Sequence, residues 1–334
     1  MPIGDKITNS RVLITGGAGF IGSNLCEALI EQDNEIVCLD NFSTGKRENI
    51  EDLLVKSNFQ LIEGDIRDLD VCKKASDGID IILHQAALGS IPRSIDDPIT
   101  TNDVNIGGFL NMLVASKDAK VKRFVYACSS STYGDHPDLP KLEDNIGNPL
   151  SPYAVTKYVN ELYAKVFSEL YDLETIGLRY FNVFGPRQDP NGAYAAAIPR
   201  FVDLMIKHES PKIYGDGTQS RDFTYIENVV QINQLAATTS NKEALNNIYN
   251  VAYGENTTVI DLFGKIRELL SKYDPEIIKI QVEFVAERPG EIKHSHASID
   301  KAKKLLNYNP THGFDEGLNK AVPWYWEHHN KLNG

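Results

Sequence analysis

Short apolar runs alternate with amphipathic stretches through the first half of the chain. The apolar runs are RVLIT, EIVCLD, FQLIEGD, IDIILHQA, RFVYACSS and ETIGLRY, and a helical pattern, IGSNLCEALIEQ, follows the first of them. Runs such as DIILH and RFVYA are apolar almost throughout, which is typical of strands covered on both faces. The alternation predicts an α/β fold built on a doubly wound parallel sheet with helices on both faces.

The pattern changes after about residue 182, where NVFGPRQDPNGAYAAAIPR is rich in Gly, Pro, Asn and Ala. Later elements are shorter and irregularly spaced. We therefore predict that residues 1–181 form the sheet domain, to which elements around 222–254 return. Residues 182–334 then form mainly a smaller C-terminal α/β region that faces the substrate.

Charge narrows the range of partners. Acidic residues number 46 against 34 basic ones, which gives a formal net charge of −12. Nucleic acid or an anionic membrane would require a basic surface, so neither is expected as a partner. An anionic ligand must then be met by local groups.

Cysteine spacing and hydropathy indicate the compartment. The four cysteines form no CxxC pair and no metal-ligand pattern, which predicts reduced, buried thiols and no metal. The N-terminal segment MPIGDKITNS has no apolar core of a signal peptide, and no apolar run approaches the about 18 residues of a spanning helix. We expect a cytoplasmic protein.

A glycine-rich turn joins the first strand to the first helix in RVLITGGAGFIGSNL. Gly16, Gly19 and Gly22 have the spacing that allows a tight turn, close approach of the backbone to a pyrophosphate and close packing of helix on strand. Asp40 ends the next strand, where its carboxylate can accept hydrogen bonds from an adenosine ribose. The sheet domain is therefore predicted to be of the Rossmann type and to bind NAD. Asp40 should repel the 2′-phosphate of NADP. The basic residues Lys46 and Arg47 follow closely in the sequence, and their charges would attract the same phosphate.

Two later strand ends are candidates for further cofactor contacts. Asp65 and Ile66 in GDIRD could offer a carboxylate and an apolar wall to an adenine, although an ordinary turn would look the same. The segment HQAA ends the next strand with small residues beside which a cofactor can lie. His84 at its start is more often a packed side chain than a catalytic one.

The candidate catalytic groups lie in RFVYACSSSTYG and SPYAVTKYVNEL. Tyr153 and Lys157 are four residues apart and therefore share one helical face. A phenol with an ordinary pKa near 10 needs a nearby cation to act as a base at neutral pH, and Lys157 can supply it. Ser129, with Ser130 as its close neighbour, can hydrogen-bond the same substrate hydroxyl.

The ordered motifs TGGAGFIG, CSSSTYGD, SPYAVTK, RYFNVFGPRQ, YGDGTQSRDFTYI and RPGE resemble those of the extended short-chain dehydrogenase/reductase family, among its nucleotide-sugar epimerases and dehydratases. The likeness runs from Arg11 to Trp326. The stretches LGSIPRSIDDP and SSSTYGDHPDLPK are most similar to bacterial UDP-N-acetylglucosamine 4-epimerases. Dehydratases of the family carry an Asp-Glu pair where Ser130 and Ser131 stand here, which argues against dehydration.

This resemblance implies a mechanism and a cofactor site. The sugar is oxidised transiently at C4 to a bound 4-ketose, which rotates about its diphosphate and is reduced on its other face, so NAD stays bound. The implied NAD contacts comprise the glycine turn, the loop after Asp40, the later strand ends and the catalytic helix: Gly16, Gly19, Phe20, Ile21, Gly22, Asp40, Asn41, Ser43, Thr44, Gly45, Asp65, Ile66, Gln85, Ala86, Ala87, Asn105, Tyr153 and Lys157.

The resemblance also assigns a substrate site. Asn182 matches the asparagine that binds the diphosphate, and Arg221 and Arg288 match the arginines that clamp it. Glu291 replaces the usual aspartate after RPG. The remaining implied contacts lie in the uridine segment, the sugar loop and the serine turn: Ala197, Ile198, Tyr214, Gly89, Ser90, Ser94, Ser129 and Ser130.

Ser295 aligns with a position that carries a bulky tyrosine in glucose-restricted relatives. A small residue there leaves room for a 2-acetamido group, although a surface position could also vary without consequence. The expected substrates are UDP-N-acetylglucosamine and UDP-N-acetylgalactosamine, with UDP-glucose and UDP-galactose as a slower pair. Arg93 could instead meet a sugar carboxylate, which keeps UDP-N-acetylhexosaminuronic acid or UDP-glucuronic acid open as substrates.

Two other functions are alternatives. A decarboxylase or net oxidoreductase would change the amount of NADH or release CO₂. An idle NAD-binding scaffold would have no need of Ser129, Tyr153 and Lys157.

The helix that bears Tyr153 and Lys157 is apolar on a further face, through Val159, Leu162 and Val166. This face predicts a homodimer, although it could equally face the core.

Overall fold

The computed structural model describes residues 6–190, 195–287 and 293–333. In this part of the chain the strands are β1 (Arg11–Thr15), β2 (Glu35–Asp40), β3 (Phe59–Glu63), β4 (Ile81–His84), β5 (Arg123–Ser129), β6 (Thr175–Tyr180), β7 (Val183–Phe184), β8 (Lys212–Tyr214), β9 (Ser220–Arg221), β10 (Thr224–Tyr225), β11 (Asn247–Val251), β12 (Thr257–Thr258), β13 (Glu283–Val285) and β14 (His294–Ser295). The α-helices are α1 (Phe20–Ile30), α2 (Leu69–Ser76), α3 (Ile91–Asp96), α4 (Pro98–Asn102), α5 (Phe109–Asp118), α6 (Pro152–Tyr171), α7 (Ala197–Ile206), α8 (Ile226–Thr238), α9 (Val259–Leu270), α10 (Asp300–Leu306) and α11 (Phe314–Asn333).

Seven parallel strands form the main sheet, in the order β11-β6-β5-β4-β1-β2-β3. The chain winds outward from β1 through β2 to β3, and then crosses to β4 on the other side of β1. Ligands of such sheets bind at the carboxyl edge where the winding direction reverses, which is between β1 and β4 here. The predicted Rossmann-type α/β fold is confirmed.

Alternate residues of the strands in the main sheet belong to two apolar layers, one on each face of the sheet. Val12 and Ile14 of β1 belong to one buried cluster, whereas Leu13 between them belongs to the other. Both faces of β1 are therefore covered, which explains why its sequence is apolar without interruption.

The C-terminal half contributes to the main sheet and also forms smaller sheets. Strand β11 pairs with β6 at the edge of the main sheet. The smaller sheets pair β10 with β7, β13 with β8, and β12 and β14 with the central β9. Apolar residues of this half, such as Ile198 and Leu262, join the same buried cluster as Val12. The division of the chain at residue 182 stays a prediction.

Three sequence expectations concern features of the chain as a whole. No helix among the described residues has the length and apolar character needed to cross a membrane. The four cysteines are free and buried. Within the described ranges, no group of His, Cys, Asp or Glu side chains is arranged to hold a metal ion.

The start of α1 packs directly on the turn that precedes it. A Cβ atom added to Gly22 would lie 2.1 Å from the carbonyl oxygen of Gly16. Gly16 itself has φ +67°, and a Cβ there would lie 2.9 Å from the backbone of Ala86 after β4. Both positions therefore exclude every side chain, because backbone atoms cannot move aside as a flexible side chain can.

We predict that Gly22→Ala destabilises the protein by about 2 kcal/mol or more, as overpacking does, and weakens NAD binding. Alanine in place of glycine ordinarily stabilises a helix by about 1 kcal/mol, so the sign of the effect is diagnostic. The matched control is Gly264→Ala in α9, where nothing lies within 4 Å of the added Cβ. Denaturant unfolding measures both variants, and a Gly22→Ala protein as stable as the wild type would contradict the packing argument.

Candidate active site

A cavity of about 300 Å³ opens at the carboxyl edge of the sheet, between β1 and β4. Most of the predicted NAD contacts line it: Gly16, Gly19, Phe20, Ile21, Gly22, Asp40, Asn41, Ser43, Thr44, Asp65, Ile66, Gln85, Ala86 and Ala87. Leu39, Gly64, Leu88 and Val104 also line it and were not predicted, and Gly89, predicted for the sugar, lies here as well. Leu39 and Gly64 immediately precede predicted residues, so the strand ends alone could have indicated them.

Asp40 is buried at the end of β2 and is bound to the glycine turn. One carboxylate oxygen accepts a hydrogen bond from the amide of Ala18 at 2.9 Å, and the other accepts one from Phe42 at 2.8 Å. Burial raises the pKa of the Asp40 carboxyl, and these amide hydrogen bonds oppose the shift. Each oxygen keeps a lone pair for a further donor. A Cβ added to Gly45 would lie 2.9 Å from the same carboxylate, so Gly45 allows the loop to close over it.

The two basic residues that follow Asp40 are paired with carboxylates. Lys46 lies 3.2 Å from Asp189, and Arg47 lies 2.8 Å from Glu63. Neither cation therefore pairs with the Asp40 carboxylate at the cavity. The arrangement favours NAD over NADP because the 2′-phosphate of NADP would be repelled.

Asp65 is held by a neighbour that the sequence did not single out. Arg67 donates to its two oxygens at 3.0 and 2.7 Å, and the side-chain amide of Asn41 donates at 2.8 Å. The hydrogen bond from Arg67 is the main cause that lowers the pKa of Asp65 to about 2. Asp65 is therefore ionised at neutral pH. The spacing of Arg67 two residues after Asp65 was the available signal for this pair.

Asn105 fixes the loop after β4 rather than lining the cavity. It lies in a π-helical turn, Asp103–Gly108, between α4 and α5. Its side-chain oxygen accepts from the amide of Leu88 at 2.8 Å, and its nitrogen donates to the Leu88 carbonyl and to Thr156 of α6, each at 3.1 Å. Asn105 thereby connects the cavity loop to the helix that carries Tyr153.

Gln85 belongs to a second buried network. The Tyr180 hydroxyl donates to the Gln85 side chain at 3.2 Å, and Asn233 of α8 contacts both residues. These contacts hold the first residue after β4 against β6. No local sequence pattern indicates them, because the partners are separated by 95 and 148 residues along the chain.

The candidate catalytic side chains meet at the end of β5. Ser129 begins a 3₁₀ turn, Ser130–Tyr133, and its hydroxyl accepts from the amide and the hydroxyl of Ser131 at 3.2 and 2.9 Å. Tyr153, near the start of α6, is hydrogen-bonded to the Ser129 side chain. The Lys157 ammonium donates to the carbonyl of Ala127 in β5 at 2.9 Å and lies 6.0 Å from the Tyr153 ring centre. Ser130 lies half-buried at the same turn.

Burial acts on both titratable groups of this cluster. It raises the pKa of the Tyr153 phenol, and the hydrogen bond with Ser129 opposes the shift. It lowers the pKa of the Lys157 ammonium to about 8. Each shift disfavours a charged form, so the ion pair of phenolate and ammonium requires further electrostatic support.

His84 is a packed side chain, as its position suggested. Its ring contacts Phe109 and Phe124, and one ring nitrogen lies 2.8 Å from the Thr15 hydroxyl. Burial lowers its pKa to about 3, and the charge of Lys157 adds to the effect. The imidazole is therefore neutral and unsuited to acid–base catalysis near pH 7.

A second cavity of about 290 Å³ lies on the C-terminal half. Five predicted substrate contacts line it: Asn182, Ala197, Ile198, Tyr214 and Arg221. Gln188, Arg200, Phe201, Lys212 and Gln219 also line it and were not predicted. The cavity combines an apolar wall with cationic and amide side chains, which suits a ligand with a flat base and an anionic group.

Arg221 and Ser295 lie side by side in a small sheet. Ser295 of β14 pairs with Arg221 of β9, and Thr257 of β12 pairs with Arg221 on the other side. The Arg221 guanidinium donates to the carbonyls of Ser220 and Lys293 at 2.9 and 3.1 Å. The predicted phosphate and sugar positions are therefore adjacent. Arg288 and Glu291 lie outside the described residues.

The predicted sugar loop has an unusual backbone. Ser90 has φ +116°, a value that non-glycine residues rarely adopt, and its hydroxyl accepts from the Arg93 amide. Ser94 is fully buried and donates to the Ile91 carbonyl at 2.7 Å. The Arg93 side chain is half-buried, and no other described residue hydrogen-bonds or ion-pairs with it.

The cavity between β1 and β4 fits a dinucleotide. The glycine turn excludes side chains beside the start of α1, whose free amides favour an anion. Asp40 offers acceptors for ribose hydroxyls, and Tyr153 and Lys157 stand beyond the loop after β4. The NAD dependent epimerase/dehydratase family model matches residues 12–252. The chain belongs to this family. NAD is its cofactor.

Relatives in this family act on several UDP-sugars. A UDP-N-acetylglucosamine 4-epimerase from Methanobrevibacter ruminantium, solved with UDP-N-acetylmuramic acid, is 40% identical, with a TM-score of 0.89 over 96% of this chain and 100% of its own. A UDP-glucuronic acid 4-epimerase from Bacillus cereus, solved with UDP-glucuronic acid and NAD, is 33% identical, with a TM-score of 0.86 over 95% and 99%. A UDP-glucose 4-epimerase from Mycolicibacterium smegmatis is 32% identical over 94% of this chain and 98% of its own.

Proposed function

We propose that the chain is a cytoplasmic enzyme that interconverts UDP-N-acetylglucosamine and UDP-N-acetylgalactosamine, with slower action on UDP-glucose and UDP-galactose. Without regard to the choice of sugar, the chain is an NAD-dependent UDP-sugar 4-epimerase. The choice of sugar rests on one observation, the small Ser295 directly beside Arg221 in the β9–β14 pair. The likeness to the M. ruminantium enzyme supports it.

The proposed reaction uses the cluster at the end of β5. Tyr153 accepts the proton of the sugar C4 hydroxyl, and Ser129 orients that hydroxyl. Lys157 stabilises the phenolate by its charge. When bound, NAD supplies reversible two-electron redox chemistry. The sugar then rotates so that its other face is turned towards the cofactor, and Tyr153 returns the proton to the oxygen at C4. The stereocentre therefore inverts without net oxidation.

The substrate cavity holds the nucleotide part of the substrate while the sugar rotates. Asn182 and Arg221 bind the diphosphate, and the segment at Ala197 and Ile198 contacts the uracil. A planar guanidinium binds phosphate in two-point fashion, which allows an acidic protein to hold a dianion locally. The sugar is then free to rotate about the diphosphate while the nucleotide stays in place.

We predict that the purified protein converts UDP-N-acetylglucosamine to its C4 epimer without added NAD and without a net change in NADH. NMR of a UDP-sugar panel measures this, and Tyr153→Phe should lower turnover about 100-fold or more while UDP still binds. Net NADH or CO₂ would indicate an oxidoreductase or decarboxylase. An NAD-loaded protein that converts no sugar of the panel would indicate an idle scaffold.

We predict that Ser295→Tyr lowers kcat/KM for the N-acetylated sugars about 10-fold or more and leaves UDP-glucose nearly unaffected. The added ring would occupy the space of the acetamido group. His294→Tyr is the matched control, because neighbouring residues of a strand point to opposite faces. Equal losses on both classes of sugar would remove the basis for the proposed specificity.

Arg93 favours a second candidate, a UDP-N-acetylhexosaminuronic or UDP-glucuronic acid 4-epimerase. Its half-buried guanidinium has no partner among the described residues, so a sugar carboxylate could pair with it. The same panel separates the candidates. Exclusive turnover of a uronic acid would replace the leading proposal.

We propose in addition that the enzyme is a homodimer through α6. Leu162, Val166 and Leu170 on its outer face are 46%, 44% and 68% exposed. Val159, on the predicted face, is half-buried. On the neighbouring α3 and α4, Ile95 and Ile99 are also exposed, so the apolar surface extends across three helices. Such a patch is typical of a subunit interface.

We predict that the double substitution Leu162→Glu and Val166→Glu yields monomers, because four buried charges would face each other across a two-fold interface. Sedimentation velocity measures the state. Val55→Glu is the control, since Val55 is 87% exposed outside this patch. A wild-type protein that sediments as a monomer would refute the dimer.

A further inference from the structure

Helix α6 carries three ionisable side chains at intervals of four residues. Tyr153, Lys157 and Glu161 therefore share one face, which packs on the main sheet. Lys157 and Glu161 are both buried. Charges are rarely placed in a protein interior without partners, so the partners of Glu161 indicate what it does.

The Glu161 carboxylate is bound by Arg179 of β6. The guanidinium donates to its two oxygens at 2.8 and 2.7 Å, and the two side chains are 6% and 3% exposed. Arg179 also donates to the Glu143 carbonyl at 2.8 Å and lies 4.8 Å above the Tyr133 ring. Its position is thus fixed from three sides.

This pair lies one residue from the catalytic groups. Arg179 is opposite Cys128 in the β5–β6 ladder. Cys128 stands between Ala127, whose carbonyl accepts from Lys157, and Ser129. The guanidinium–carboxylate pair therefore joins α6, which carries Tyr153 and Lys157, to β6, the strand beside the one that ends in Ser129.

We propose that the buried Glu161–Arg179 pair is a positioning element of the active site, which fixes α6 on the sheet and supplies the negative charge that keeps Lys157 an ammonium. The inference rests on the proposed function, because it gives that ammonium its task beside Tyr153. Neither Glu161 nor Arg179 touches the substrate in this role.

The charges around Lys157 agree with the proposal. Burial lowers its pKa to about 8, whereas the charge of Glu161 on its own helix acts in the opposite direction. Burial raises the pKa of the Cys128 thiol on β5, which is therefore neutral. The other titratable groups that face this cluster are Tyr153 on α6, Tyr126 on β5, the neutral His84 on β4 and Arg179 on β6. Tyr133 and the Glu143 carboxylate lie against Arg179. Glu161 is the carboxylate that acts on Lys157, and Arg179 moderates its field.

The two partners should affect Lys157 with different signs. Glu161→Gln removes the anion and leaves Arg179 as a buried cation, and both changes disfavour the ammonium. Arg179→Met leaves the anion without its counter-charge. Where Glu161 stays ionised, the pKa of Lys157 rises. Where Glu161 takes a proton, the site becomes equivalent to that of the doubly neutral variant Glu161→Gln/Arg179→Met. A purely structural role would instead make both variants fail in the same way.

The experiment is a titration of Lys157 by NMR of the NAD-bound protein with ¹³C-labelled lysine, with the signal assigned through Lys157→Met. We expect Glu161→Gln to lower the pKa of Lys157 by about one unit, and Arg179→Met to hold it at or above the value in the doubly neutral variant. The doubly neutral variant Glu161→Gln/Arg179→Met should fall between wild type and Glu161→Gln. This variant also serves if the singly substituted chain fails to fold, since a buried pair can often be replaced as a unit.

The matched control is Glu174→Gln, which breaks the Arg123–Glu174 pair at the opposite end of β5 and β6. There Arg123 donates twice to one oxygen of the more exposed Glu174, at 3.0 and 2.7 Å. Loss of this distant pair should leave the Lys157 titration unchanged. In active variants, the alkaline limb of kcat should shift with the pKa of Lys157.

Equal titration of Lys157 in wild type and both Glu161→Gln variants, or a pKa in Arg179→Met that lies below that of the doubly neutral variant, would overturn the proposal. The NMR readout is independent of turnover. A wild-type enzyme that shows the expected titration but converts no UDP-sugar would therefore refute the proposed function and not the pair.

Discussion

The contact of backbone with backbone at the glycine turn is the constraint on which the rest of the site depends. Gly22 rests on the carbonyl of Gly16, and Gly16 rests on the backbone of Ala86 after β4. The absence of side chains brings α1, β1 and β4 together at the point where the sheet reverses its winding. Asp40 at the end of β2 holds the turn in place by accepting a hydrogen bond from the amide of Ala18. The candidate cofactor cavity lies between these closely packed segments.

The candidate catalytic side chains depend on a different kind of constraint, which is charge held in the interior. Lys157 reaches the β5 backbone from α6, and Glu161 reaches Arg179 of β6 one helical turn later. Desolvation disfavours each charge, so each must be bound in a defined geometry. The same contacts that neutralise the charges orient α6. Chemistry and packing therefore rest on one set of side chains.

The sequence could predict what depends on local spacing. The glycine turn, Asp40 and the Tyr153–Lys157 pair follow from intervals of a few residues, and the parallel sheet follows from its apolar runs. Contacts between distant segments could not be predicted. The contacts of Asn105 with Leu88 and Thr156 are an example. They depend on how the π-helical turn faces α6, which no nearby spacing encodes, and the contact of Asn105 with NAD stays a prediction.

The proposed choice of sugar depends on the small sheet that holds Arg221. The buried Asp222 beside it accepts from the amides of Tyr253 and Gly254, at 3.1 and 3.2 Å, and from Ala297 at 3.4 Å. These amides belong to the segments on either side of β9, so one carboxylate sets the register in which Ser295 stands opposite Arg221. The proposed diphosphate and sugar positions then share a single rigid frame. Under the proposed function, a change at Ser295 alters the room for the sugar while the phosphate contact stays in place, because the Asp222 carboxylate fixes the backbone that joins the two positions.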